Sequence, residues 1–125
     1  MRNYKKFDVW KKAHEQYLFV KKNIAPKLPR EEKFELTSQL LRASLSLPLN
    51  IVESCGRFTD KEFSHFLDTS LGSTNETEYC CLIFFKMKYN SKEDYTNVLK
   101  LINKTRAMLI NFLKLIRNGG SDSKP

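Results

Sequence analysis

The 125 residues are enough for one folded domain and too few for two independent hydrophobic cores. Hydrophobic residues make up 41% of the chain and charged residues 29%, which excludes the polar composition of a disordered protein. The 4 Gly and 4 Pro are too few for the many turns of a β-sandwich or barrel, so long helices are favoured. The net charge of +8 favours an anionic partner.

The first predicted helix opens at Asp8, a plausible N-cap, and ends near Pro26. Apolar residues follow it at spacings of three and four, the pattern of an amphipathic helix. They are Trp10, Ala13, Tyr17, Val20 and Ile24.

The second predicted helix places Glu31 and Glu32 in its first turn and ends at Gly56. Its main apolar stripe is Phe34, Leu36, Leu40, Ala43, Leu47 and Ile51, and a second apolar row is Leu41, Leu45, Leu49 and Val52. Pro48 predicts a kink or a helix end just before it, because proline removes a backbone donor and crowds the preceding turn.

The third predicted helix begins with a capping box, in which Thr59 is followed three residues later by Glu62. Its stripe is Phe63, Phe66, Leu67, Leu71, Cys81, Leu82, Phe85 and Tyr89. Between Leu71 and Cys81 the stripe turns polar.

The fourth predicted helix opens near Ser91, with Asp94 three residues on, and ends at Gly119 and Gly120. Its stripe is Tyr95, Val98, Leu99, Ile102, Thr105, Leu109, Phe112, Leu113 and Ile116. We expect one domain over residues 1–120 and a disordered tail at 121–125.

Four amphipathic helices with short connections predict an all-α fold, an antiparallel up-and-down four-helix bundle. The third helix is longer than the first can cover, and the second apolar row of the second helix has no obvious partner. We therefore expect a homo-oligomer that buries this surface. The alternative is that the extra row packs inside a thick bundle.

The positive charge is concentrated at the two ends of the chain. Residues 1–33 carry a net +6, residues 34–90 a net −2 and residues 91–125 a net +4. The candidate nucleic-acid-binding residues lie on the first and last helices: Lys5, Lys6, Lys11, Lys12, Lys21, Lys22, Lys100, Lys104, Arg106, Lys114 and Arg117. Antiparallel pairing of these helices predicts one basic surface for phosphate backbones, with little base readout because most of the bases are lysines. The alternative is that they serve only solubility.

Catalytic chemistry has little support in the sequence. His14 and His65 fall on different helices with no nucleophile at a recognisable spacing, and there is no glycine-rich phosphate loop. Glu53, Glu76 and Glu78 lack the Glu-x-x-His pairs of di-iron bundles. We expect neither an enzyme nor a bound metal or cofactor.

The three cysteines and the absence of a targeting or membrane segment indicate a cytoplasmic protein with no membrane partner. An odd count with Cys80 adjacent to Cys81 suits neither a disulfide framework nor a zinc site, so these two and Cys55 are interpreted as small core residues. No apolar run approaches about 18 residues, and the basic N-terminus does not lead into a signal peptide.

Several strings resemble a known bacterial family. They include Tyr4–Trp10 (YKKFDVW), Leu36–Ala43 (LTSQLLRA) and Leu47–Arg57 (LPLNIVESCGR). With Lys61-Glu62-Phe63, Phe66-Leu67, Gly72-Ser73 and the pair Glu76 and Glu78, the chain resembles, over residues 4 to about 117, the four-helix-bundle family encoded in intervening sequences of large-subunit ribosomal RNA genes.

The resemblance implies a ring-like homopentamer and an association with ribosomal RNA, which favours RNA as the nucleic acid. A related protein, the accessory protein of diversity-generating retroelements, binds a reverse transcriptase and nucleic acid. The alternative function is therefore a protein-interaction scaffold, or an accessory subunit for a nucleic-acid-processing enzyme. The sequence departs from the family pattern at Thr74 and Thr77, where the family usually has leucine.

Motif residues of this pattern are expected to have structural roles, with a ligand site as the alternative: Trp10, Gln39, Arg42, Pro48, Asn50, Glu53, Gly56, Arg57, Glu76 and Glu78. Glu76 and Glu78 are predicted to pair with Arg42 or Arg57 across the second and third helices. Asn50 is predicted to bond the carbonyl that Pro48 leaves without a donor.

Overall fold

Four antiparallel helices make up most of the computed structural model, which describes residues 2–119. They are α1 (Asp8–Phe19), α2 (Leu36–Ser54), α3 (Asp60–Lys86) and α4 (Lys92–Arg117). α1 contacts α2 and α4, and α3 contacts α2 and α4, so each helix packs on its neighbours in the sequence and α4 closes the bundle against α1. The all-α up-and-down bundle predicted from the sequence is confirmed. The predicted tail at 121–125 and Gly120 lie outside the described residues.

The start of α1 differs slightly from the prediction. Phe7 occupies the N-cap position and Asp8 is the first helical residue, where its carboxylate faces the positive end of the helix dipole. Asn3 instead caps a preceding 3-10 turn, Tyr4–Lys6, by accepting a hydrogen bond from the Lys5 backbone at 3.1 Å. After Phe19 the helix widens into a π-helical segment, Val20–Ile24, before a 3-10 turn at Ala25–Lys27.

The core stripe of α1 is rotated from the predicted one. Val9, Ala13, Gln16, Val20 and Ile24 are buried, whereas Trp10 and Tyr17 are half-buried on the flank of the helix. Gln16 therefore occupies a core position that the apolar pattern of the sequence assigned to Tyr17.

The predicted start of α2 is wrong. Arg30–Glu32 form a separate 3-10 turn, and α2 begins at Leu36. Phe34 therefore precedes the helix and is 89% exposed instead of lying in the core. Leu40, Ala43, Leu47 and Ile51 are buried as predicted.

Pro48 lies inside α2, which continues to Ser54 and ends just before Gly56. The predicted helix end before Pro48 is therefore wrong. The predicted terminator Gly56 is confirmed. Proline has no backbone N–H, so the carbonyl of Ser44, four residues earlier, loses its usual helical donor. Asn50 donates to the carbonyl of Ser46 at 2.8 Å, one turn before itself, and not to that of Ser44 as predicted.

Side-chain caps begin α3 and α4, as predicted. The Thr59 hydroxyl accepts the Glu62 backbone N–H at 3.1 Å, and the Ser91 hydroxyl accepts that of Asp94 at 3.0 Å. α3 ends at Lys86, earlier than the predicted Tyr89, and Gly119 adopts φ +76°, a conformation that suits glycine after the end of α4.

The core consists of two apolar clusters, one at each end of the bundle. The first is built around Phe7, Leu47, Phe63, Leu109 and Phe112, whose aromatic rings meet edge-on or tilted at centroid distances of 5.1–6.2 Å. The second contains Val20, Ile24, Leu28, Leu40, Cys80, Cys81, Phe84, Val98 and Ile102. All three cysteines are buried, in agreement with the core position predicted for them.

The polar interval does not break α3, and its serine and threonine side chains are buried. Ser70 donates to the Leu47 carbonyl at 2.9 Å, and Ser73 donates to the Ser46 hydroxyl at 2.8 Å. Thr74 and Thr77 donate to carbonyls one turn earlier in α3, both within 2.9 Å. Small hydroxyl side chains thus join α3 to α2.

Candidate nucleic-acid interface

The outer surfaces of α1 and α4 adjoin because these two helices pack together. Phe7 contacts Phe112 at one end of the bundle, with ring centroids 5.1 Å apart, and Val20 shares the second apolar cluster with Val98 and Ile102 at the other. Lysines near the two ends of the sequence therefore lie on neighbouring helices. The antiparallel pairing predicted for the basic surface is present.

Three lysines of α4 point away from the core. Successive residues of an α-helix are rotated by about 100°, so Lys100, Lys104 and Lys114 lie opposite the buried stripe that contains Ile102 and Leu109. All three are exposed, and none has an ion-pair partner among the described residues.

The two arginines of α4 lie on a different flank, toward α3. Arg106 pairs with Glu78 and donates from Nε to Asn75 Oδ1 at 3.1 Å. Arg117 pairs with Asp68, and the hydrogen bond to that carboxylate raises the pKa of the guanidinium. These contacts with α3 hold both arginines away from the lysines of α4.

The lysines of α1 and of the π-helical segment that continues it, Val20–Ile24, divide between two sides of the helix. Lys11 and Lys22 are exposed on its outer side, and Lys11 approaches Asp8 at 3.8 Å. Lys12 pairs with Glu15 at 2.8 Å. Lys21 instead lines a groove toward α2.

Five exposed lysines on the outer sides of α1 and α4 define what we call the basic face: Lys11, Lys22, Lys100, Lys104 and Lys114. Lys5 and Lys6 are exposed in the turn before α1, at the end of the bundle where α4 finishes. The sequence predicted the members of the basic face but not the separation of Arg106, Arg117 and Lys21 from it, because that depends on how each helix is rotated.

A groove of about 610 Å³ runs between α1 and α2. Tyr17 and Lys21 line one side and Leu41, Arg42 and Leu45 the other, with Phe34 at its edge. On the same helix, Leu45 is 40% and Leu49 53% exposed. Leu45 and Leu49 of the second apolar row are thus at the surface of the single chain, whereas Leu41 and Val52 are half-buried.

The motif carboxylates pair differently from the prediction. Glu53 pairs with Arg57 within four residues, and Glu78 pairs with Arg106 of α4. The α2–α3 contact of Glu76 is a hydrogen bond accepted from Gln39 at 3.0 Å. Arg42 faces the groove instead of α3.

Trp10 belongs to a small aromatic cluster at the side of α1. Its ring stacks on His14 at a centroid distance of 5.0 Å with an interplanar angle of 10°, and it meets the Tyr4 ring edge-on at 4.9 Å. These contacts fix the turn Tyr4–Lys6 against α1, consistent with a structural role for Trp10.

Burial also explains the chemistry of the cysteines. Burial, with the neighbouring Cys80 and the Glu78 carboxylate, raises the pKa of Cys81 to about 12. Burial and Glu76 raise the pKa of Cys80. Within residues 2–119, no three His, Cys, Asp or Glu side chains are grouped as a metal would require.

Residues 5–111 match the family of 23S rRNA-intervening sequence proteins. This chain belongs to that family. A crystal structure of a protein of unknown function from the S23 ribosomal protein family of Bacteroides thetaiotaomicron is similar to it, with 27% identity and a TM-score of 0.77. The match covers 85% of this chain and 98% of the Bacteroides chain.

No curated protein matches the chain. Within the described residues of this family member, no helix has both the length and the apolar composition needed to cross a bilayer.

Proposed function

We propose that this protein is a non-enzymatic, oligomeric nucleic-acid-binding protein that contacts RNA through its basic face. The observation that carries the proposal is that α1 packs on α4, which places five exposed lysines on adjoining outer surfaces. Only Lys11 among them approaches a carboxylate in the described chain, at 3.8 Å. Phosphate groups are a natural source of the missing negative charge.

The chemistry of the basic face favours backbone contact over reading of sequence. Lysine presents a point charge without the planar fork with which arginine recognises guanine, and the two arginines of α4 are paired with α3. Structured RNA is the preferred partner because the family is that of 23S rRNA-intervening sequence proteins.

Self-association is the second part of the proposal, and a homopentamer is its expected form. Leu45 lines the open groove between α1 and α2, and Leu49 is exposed one turn further along α2, so a monomer would leave both in water. An assembly repeats the basic face on every subunit, so one nucleic acid can contact several faces at once.

A salt titration with a matched pair of charge variants tests nucleic-acid binding. The first variant changes Lys22, Lys100 and Lys104 of the basic face to Gln. The second changes Lys61 and Lys86 of α3 and Lys92, the first residue of α4, to Gln; all three are exposed and lie outside the basic face. Both remove the same charge. We expect affinity for a structured RNA to fall steeply with salt, and the first variant to reduce the log–log slope by about 2 to 3. The second should retain most of the wild-type affinity.

Equal losses in the two variants would show that net charge, and not the basic face, determines binding. No binding to structured RNA or to a DNA duplex at low salt would overturn the proposal. The apolar groove would then favour the alternative, a scaffold or accessory subunit that docks a nucleic-acid-processing enzyme, whose affinity should depend less on salt.

A further inference from the structure

A polar layer crosses the middle of the bundle between the two apolar clusters. Each helix contributes buried polar residues to it, at the level between its last residue in one cluster and its first in the other. They are Gln16 of α1, Ser44 of α2, Ser70, Ser73, Thr74 and Thr77 of α3, and Thr105 of α4.

The hydroxyls that α3 and α4 contribute to this layer have hydrogen-bond partners, but the Gln16 amide and the Ser44 hydroxyl do not. The α3 hydroxyls are bonded as described above, and Thr105 donates to the Leu101 carbonyl at 2.9 Å. Gln16 is 0% exposed, and neither its Oε1 nor its Nε2 has a hydrogen-bond partner among the described residues. The Ser44 hydroxyl is equally buried and also lacks one.

Gln16 and Ser44 lie at the same level on adjacent helices. Ala13 shares the first cluster with Leu47, and Val20 shares the second with Leu40, so Gln16 and Ser44, which lie midway between these pairs, are at the same level of the bundle. Ser44 also falls on the side of α2 toward α1, because Leu41, one turn earlier, lines the groove between these helices.

Pro48 leaves a third polar group, the Ser44 carbonyl, at this level. Because Pro48 lacks an N–H, it cannot donate the usual helical hydrogen bond to the Ser44 carbonyl. Ser44 therefore has both a hydroxyl and a carbonyl available at the level of the Gln16 amide, which has both donor and acceptor capacity.

We infer that the polar layer is a binding site for an ordered internal water molecule, held by Gln16 of α1 and by Ser44 of α2. A buried amide without any hydrogen bond costs several kcal/mol in apolar surroundings, whereas a buried water typically makes about three hydrogen bonds to such groups. The water donates to Gln16 Oε1 and to the Ser44 carbonyl, and accepts from Gln16 Nε2 or the Ser44 hydroxyl. These bonds form only when α1 and α2 are in this register, so the site favours one alignment of the helices.

A high-resolution crystal structure of the wild-type chain tests the site directly. We expect density for a water within about 3.2 Å of a Gln16 amide atom and of a Ser44 oxygen. Direct hydrogen bonding of Gln16 to Ser44 or Thr105, with no water between them, would overturn the inference.

Oxygen-17 magnetic relaxation dispersion provides an independent count of long-lived internal waters in solution. We expect Gln16→Leu to lose at least one such water, and Ser44→Ala to shorten its residence time. Gln39→Leu removes an exposed glutamine of α2 and should leave the count unchanged. An equal count in the wild type and the Gln16→Leu variant would contradict the inference, and the crystal structure decides if either variant fails to fold.

Discussion

At the scale of single residues, the two adjacent cysteines show how position controls reactivity. Cys81 is fully buried and Cys80 nearly so, beside Phe84 and Ile102 in the second apolar cluster. The thiolate is the reactive form of cysteine, and burial in apolar surroundings disfavours it. The raised pKa of Cys81, about 12, therefore follows from the same packing that stabilises this end of the bundle.

We predict that both thiols are inert in the folded chain. At pH 8, with a pKa of about 12, only about one Cys81 thiol in ten thousand is ionised, and access is blocked as well. Reaction with a thiol reagent should be at least about a hundredfold slower for the native chain than for the chain in denaturant. Native reaction of Cys80 or Cys81 at the denatured rate would show that this end of the bundle is open.

At the scale of elements, the helix starts show what local sequence can predict. The caps at Thr59 and Ser91 were predictable because a hydroxyl three residues before an acid satisfies a backbone donor without help from the rest of the fold. The start of α2 was not, because the acidic turn at Arg30–Glu32 closes into a separate 3-10 turn. Local signals identify a turn but do not decide whether a helix continues from it.

We predict that Thr59→Ala lowers the free energy of unfolding by about 1 kcal/mol, because it removes the hydroxyl that accepts the Glu62 N–H. Thr69→Ala is the matched control. Thr69 is exposed inside α3, where alanine has the higher helix propensity, so stability should stay level or rise slightly. Denaturant unfolding of both variants measures the difference. Equal effects would show that the Thr59 cap contributes nothing.

At the scale of the whole molecule, the rotation of the helices determines the candidate site. The sequence was sufficient to predict four helices, their order and most of their core residues, because the apolar periodicity is strong. It placed Trp10 and Tyr17 in the core stripe where Val9 and Gln16 lie, an error of one position in phase. For the same reason, the sequence did not predict that Arg106 lies away from the basic face. Shifting a helix by one residue rotates its side chains by about 100° and so brings each one against a different neighbouring helix.

We predict that the wild-type chain forms an assembly whose mass is a multiple of 14.7 kDa, with five copies expected, and that Leu45→Lys combined with Leu49→Lys dissociates it. Two charges in an apolar contact would have to be buried without partners. Leu115→Lys, on α4 and 37% exposed in the single chain, should leave the assembly intact. Light scattering after size exclusion gives the masses. A wild-type mass of 14.7 kDa at all concentrations would contradict the prediction.

The packing of α1 on α4 also has a consequence for synthesis of the chain on the ribosome. Phe7 and Val9 share the first apolar cluster with Phe112 and Ile116 near the other end of the chain. The side of α1 that packs on α4 therefore stays uncovered until α4 has been synthesised, whereas α2 and α3 can pair as soon as both have emerged. Because these contacts join the residues furthest apart in the sequence, we expect closure of the bundle to be the last step of folding.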